Sequence, residues 1–162
     1  MIYFLGKVFE SIHCFFRKIF LKLEYGKRIK FGKKVKFRKG FRVIIGKHGK
    51  LVIGSNNFFN TYCSIACLGK ITIGDNNAFG EFVTIYDHNH IFSKEKLDQK
   101  VFAIGEVEIG NSNWIGSKAN FSANSKLGNR CVVAACLNYT NKEKEDYVLY
   151  KNDGKAPIVI KK

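Results

Sequence analysis

The chain has 162 residues, 46% of them hydrophobic and 25% charged, which is enough apolar material for one domain with a real core and excludes wholesale disorder. Lys and Arg number 28 against 13 Asp and Glu, a formal net charge of +15, so anionic partners are expected: nucleic acid, phosphorylated cofactors or a membrane surface. A single proline, Pro157, excludes a proline-rich linker. Five cysteines at spacings that fit no zinc pattern, with no cleavable signal of the usual form, point to reduced thiols and a cytoplasmic protein.

The first 26 residues form a segment of their own. Ile2, Leu5, Val8, Phe9, Ile12, Phe15, Phe16, Ile19 and Phe20 recur at helical spacing among Lys7, Arg17, Lys18 and Lys22. This is a basic amphipathic helix. It packs on its own domain or a sister subunit, or it lies at the inner face of a membrane as an interfacial helix. No run of about 18 uncharged apolar residues exists to span a bilayer. From residue 27 to 50 Lys and Arg alternate with Ile29, Phe31, Val35 and Phe37, which reads as short strands with a solvated basic face. Without a recognisable nucleic-acid module, no nucleic-acid partner is assigned.

Beyond that, large apolar residues return every six positions: Ile53, Phe59 and Ile65; then Ile73, Phe79 and Ile85; then Ile109, Ile115, Phe121, Leu127, Val133 and Tyr139. Small residues follow most of them, and Cys63, Val83, Ala119, Ser125 and Cys131 sit four positions on. A period of six fits neither an amphipathic helix nor an alternating strand. It fits a triangular parallel β-helix, one hexad to a face and about 18 residues to a coil. Corners such as Ser55-Asn56-Asn57, Asp75-Asn76-Asn77 and Asn111-Ser112-Asn113 suit left-handed backbone and stacked side chains. The β-helix domain is thus 27–162, with a loop at 87–106 where the register breaks and a tail at 141–162.

That loop opens with Asp87-His88-Asn89-His90. Two histidines at alternate positions of an extended segment share a side, and a general base is the role they suit best. No further ligand arrives at a spacing that would make a metal site. The cysteines read as core thiols.

The segments IGDNNAFGEFVTIYDHNHIF and VEIGNSNWIGSKANFSANSKLGNRCVVAA resemble the hexapeptide-repeat sugar O-acetyltransferases, including the galactoside, maltose and xenobiotic enzymes and those that decorate capsule and lipopolysaccharide sugars. The resemblance covers about residues 45 to 140. It implies an all-β, left-handed parallel β-helix, a homotrimer with active sites between subunits, and acetyl-CoA as acyl donor. Carried over by position, it makes His90 the catalytic base and places Asn60, His88 and Asn89 with the acceptor. Trp114, Ser117, Ala135 and Thr140 then fall on the acetyl-CoA side; the family's C-terminal basic residue has no clean counterpart, which leaves Lys142, Lys155 or Lys161 as candidates for the phosphates. Ala134-Ala135-Cys136 stands where the family has Gly-Ala-Gly, and Ala123-Asn124 where it has Pro-Gly. The expected function is acetylation of a sugar hydroxyl in surface-polysaccharide biosynthesis, on a precursor held near an anionic membrane. The alternatives are N-acetylation of an amino sugar and a non-catalytic β-helix scaffold. A carbonic-anhydrase-like zinc protein needs three spaced histidines that are not present.

Overall fold

The computed structural model describes residues 2–92, 97–154 and 156–159, without the side chains of 2–8, 92 and 97–100. Helix α1 (Ile2–Tyr25) leads into a stack of short strands on three faces. The first face carries Ile29–Phe31, Lys50–Ile53, Lys70–Ile73, Glu106–Ile109 and Lys126–Leu127. The second runs from Lys36–Phe37 through Phe58–Phe59, Ala78–Phe79, Trp114–Ile115 and Val132–Val133 to Val148–Tyr150, with Ile158–Val159 antiparallel at its end. The third holds Arg42–Ile45, Ser64–Cys67, Thr84–Tyr86, Asn120–Phe121 and Asn138–Tyr139. Strands within a face pair in parallel from coil to coil. The expected parallel β-helix with an N-terminal helix is what the chain forms.

The hexads explain the wall. All twelve residues of the three series point inward and are at most 3% exposed, each burial stabilising by roughly 1.5–3 kcal/mol. Cys63, Val83, Ala119, Ser125 and Cys131 are buried behind them. Aromatic rings stack in the core, Phe59 on Phe79 from coil to coil at 4.3 Å and Phe37 on Phe41 within the first coil at 4.5 Å. The small residue after each hexad answers to the next coil's backbone. A Cβ on Gly80 would come within 2.5 Å of the Ser117 nitrogen, and one on Gly116 equally close to that of Ala135.

The corner between faces one and two is held by two polar ladders. Asn57, Asn77 and Asn113 are buried. The side-chain oxygen of Asn57 accepts the N–H of Asn77 (2.9 Å), that of Asn77 accepts from Asn113 (2.9 Å), and that of Asn113 accepts from Cys131 (2.7 Å). Their amides donate to the carbonyls of Gly74, Gly110 and Gly128. Outside them Asp75, Asn111, Asn129 and Asp146 link successive coils in the opposite sense, each side-chain oxygen accepting an N–H from the coil before it. The left-handed backbone expected at the asparagines occurs at Asn56, Asn76, Ser112 and Asn124. It also occurs at Lys34, Tyr62, Phe82, Lys118, Arg130 and Cys136, residues whose chemistry gives no such hint.

The basic stretch is itself the first coil. Val35, Phe37, Phe41 and Val43 are buried while Lys30, Lys33, Lys34, Lys36, Lys39 and Arg42 face out. Helix α1 closes its open end. Leu21 is fully buried and Cys14 nearly so, and Glu10 lies 3.7 Å from Arg38. Ile2, Leu5 and Val8 of the expected apolar series lie outside the described side chains.

The break in register is an arm rather than an irregular loop. Its outgoing strand, His88–Phe92, pairs antiparallel with the returning Leu97–Ile104. The N–H of Gly105 donates to the carbonyl of Asp87 at 2.7 Å, so the arm leaves and rejoins the wall at one point. Coil-to-coil partners are therefore 36 residues apart across it, Ala78 to Trp114, against 18 from Trp114 to Val132.

Candidate functional site

Asp87 is the root of the arm. It closes the corner after face three, where Leu68 and Gly69 turn in the coil before it. Their N–H groups donate to its two carboxylate oxygens, both at 2.8 Å, and the residue is fully buried. The same carboxylate lies 2.9 Å from Nδ1 of His88. An Nδ1–H held by Asp87 fixes the ring and leaves Nε2 to accept a proton. The His88 side chain keeps 17% of its surface exposed.

His90 is two residues further along the same strand and is exposed. Phe102 of the returning strand touches both imidazoles, edge-on to His88 at 5.2 Å and tilted against His90 at 4.6 Å. The arm thus presents two histidines on one side with one aromatic ring between them. Asn89, paired with Ala103, alternates with them along the strand.

The remaining candidates are elsewhere on the wall. Asn60, Ser117 and Ala135 lie on the corner between faces two and three. Asn60 Oδ1 accepts from the N–H of Thr61 at 2.9 Å and from Arg38 at 3.2 Å. Ser117 Oγ accepts the N–H of Glu81 at 3.1 Å. Ala135 sits against Gly116 and is exposed. Trp114 stands outward on face two, 62% exposed, in line with Ala78 and Val132. Thr140 lies on the arm's own edge. It borders a cleft of about 870 Å³ that Lys142, Tyr150 and Lys151 also line. Lys155 and Lys161 lie outside the described residues.

One chain therefore holds the predicted site in two groups. The arm histidines and Thr140 occupy one edge; Asn60, Ser117 and Ala135 occupy another, with Trp114 beside them. The sequence pattern groups all of these residues but does not single out Asp87 or Phe102. A carboxylate directly before the first histidine was the available signal for Asp87. Two of the buried thiols are poor nucleophiles, since burial pushes Cys63 up to about 11 and Cys67 to about 12; Cys136, beside Ala135, is exposed and is not the core thiol expected of it.

No family model matches the chain, and no curated protein matches it in sequence. Solved structures do. A hexapeptide-repeat acetyltransferase from Vibrio cholerae, complexed with acetyl coenzyme A, is 22% identical at a TM-score of 0.64, over 82% of this chain and 70% of that one. The N-acyltransferase AntD from Bacillus cereus, in complex with dTDP and 3-hydroxybutyryl-CoA, is 19% identical at 0.68, over 83% and 73%. A maltose O-acetyltransferase from Clostridium difficile is 25% identical at 0.61, over 82% and 70%. What the chain shares with these acyltransferases is the coil stack.

Proposed function

We propose that the protein transfers an acetyl group from acetyl-CoA to a sugar hydroxyl, with a surface-polysaccharide precursor as acceptor. The observation that carries this reading is the arm's pair of imidazoles, one pinned by a buried carboxylate, on a fold shared with acyltransferases solved with acyl-CoA bound. The maltose enzyme supports the O-acetyl form of it.

The two groups of residues meet when the edge of one copy faces the arm of another, which is the reason to propose a homotrimer with its sites between subunits. His90, exposed on the arm, is the general base. It takes the proton from the acceptor hydroxyl as that oxygen attacks the thioester carbonyl. Backbone N–H groups of the neighbouring wall stabilise the oxyanion. The C–S bond then breaks, and the imidazolium returns its proton to the departing thiolate. Asn60, His88 and Asn89 position the acceptor. The small corner residues beside Ser117 and Ala135 leave room for a thin acyl-pantetheine chain, Trp114 flanks it, and Lys142 and Thr140 face the phosphates.

The Asp87 contact favours a second reading, in which His88 is the base and His90 positions the acceptor. The two are separated by measuring thiol release with acetyl-CoA and a hydroxyl or amino sugar. A positioned base contributes roughly 10²–10⁴ in rate, so His90→Ala should lose at least a hundredfold in kcat while His88→Ala loses far less. The reverse order transfers the role to His88, and full activity in both variants ends the general-base mechanism. Faster turnover of an amino sugar than of any hydroxyl acceptor would make the enzyme an N-acetyltransferase.

A further inference from the structure

Helix α1 has two apolar faces. Leu21, Cys14 and Tyr25 fall on one line and close the first coil. Phe9, Ile12, Phe15, Phe16, Ile19, Phe20 and Leu23 are exposed, Phe9 at 78% and Leu23 at 77%. At about 100° per residue these seven occupy an arc of roughly 140° centred opposite Leu21. A helix that only capped the coil would need the first face alone.

The net charge sits at the same end. Residues 1–50 hold fifteen Lys and Arg against two Asp and Glu, whereas residues 51–162 hold thirteen against eleven. The cations ring the first coil: Lys30 on face one, Lys33 and Lys34 at the next corner, Lys36 on face two, Lys39 beyond it and Arg42 on face three, all exposed. Among the described residues Arg38 is the one first-coil cation that is ion-paired, to Glu10.

We infer that this helix-capped end docks on an anionic lipid surface. The outer face of α1 lies in the headgroup region with its axis along the surface, and the ring of lysines sits over the lipid phosphates. Nucleic acid would use the cations and leave seven large apolar side chains in water. A second copy would cover the apolar face at the cost of bringing two strongly positive ends together. An anionic lipid surface satisfies both features at once. Among the described residues no helix is long and apolar enough to cross a membrane, so the attachment is peripheral. The attachment does not depend on the acetyl-transfer reading.

The test is co-sedimentation of the full chain with vesicles of phosphatidylcholine alone and of phosphatidylcholine with phosphatidylglycerol. Binding is expected to the anionic vesicles only and to weaken as salt rises from about 0.1 to 0.5 M. The triple variant Phe16→Ser, Phe20→Ser, Leu23→Ser changes only exposed positions and should abolish it. Each lysine near the surface contributes about fivefold, so Lys30→Gln, Lys33→Gln, Lys39→Gln together should weaken binding roughly a hundredfold. Circular dichroism and the melting temperature should not move in either variant. A wild-type chain that stays in the supernatant, or pellets equally with neutral vesicles, overturns the inference. So does an apolar variant that pellets normally while its sedimentation mass falls, because the face then belongs to a second copy. Acetyl-transfer activity enters none of these readouts.

Discussion

The coil stack and the arm are built on opposite principles. In the stack the inward residues are specified by those above and below them: Phe59 touches Phe41 and Phe79, and Asn77 links Asn57 to Asn113. Each coil buries its interior only against its neighbours, so the structure is quasi-one-dimensional. The arm answers to none of this. It pairs with itself, leaves and returns at Asp87 and Gly105, and does not disturb the phase of the coils on either side. A sequence under such constraint has little freedom to carry chemistry inside the stack. The insertion has that freedom, and it is where the two imidazoles stand.

If that division is right, damage to the stack and to the arm should show in different measurements. The largest effect expected is Phe59→Ala. Removing a fully buried ring from the middle of the stack should cost about 3–5 kcal/mol in urea denaturation; a loss below about 1 kcal/mol would mean the coils do not support one another. His90→Ala should leave the denaturation midpoint where it was while kcat falls at least a hundredfold. A variant that loses stability as well would tie the arm into the core. Asn77→Ala is smaller. It deprives the Asn113 N–H and the Gly110 carbonyl of their side-chain partner, and buried polar groups left unpaired cost roughly 1–3 kcal/mol. Acetyl transfer should survive it at temperatures where the fold does.

The same division explains what was legible in the sequence. Ile53 to Tyr139 announce their burial because a hexad repeats with every face, and the structure buries each of them. Phe31, Phe37 and Val43 keep the same spacing, but three hexads among eleven cations, followed by the widened Gly46–Gly49 corner, read only as basic strands. The histidines were legible as residues and not as an arrangement. Which edge a residue occupies depends on coil lengths: stacked partners are 22 residues apart from Phe37 to Phe59, 20 from Phe59 to Phe79 and 18 from Ile115 to Val133. The separation of His90 from Ser117 and Ala135 onto different edges is therefore invisible until the coils are wound. Asp87 was hidden for a related reason. Its burial is set by the N–H groups of Leu68 and Gly69, 19 and 18 residues earlier.

The smallest effect expected lies where the C-terminal turn is tied back to face one. Glu108 meets Lys144, with Lys126 at 3.8 Å. The hydrogen bond from Lys144, then its charge and those of Lys126 and Lys70, hold the Glu108 carboxyl below the usual glutamate range in spite of some burial. A carboxyl whose value is lower folded than unfolded adds stability above its unfolded value and loses it as pH falls through the folded one. Glu108→Gln should therefore melt slightly below wild type between pH 6 and 8. Partly exposed pairs of this kind contribute about 0–1 kcal/mol, so the gap should be about 4 °C or less. It should close below about pH 4 as the wild-type carboxyl is neutralised. A gap that stays constant to pH 3 would show that Glu108 acts by packing and not by charge. Run beside it, His90→Ala should show no gap from wild type at pH 6–8, because the arm's chemistry is not what holds the coils together.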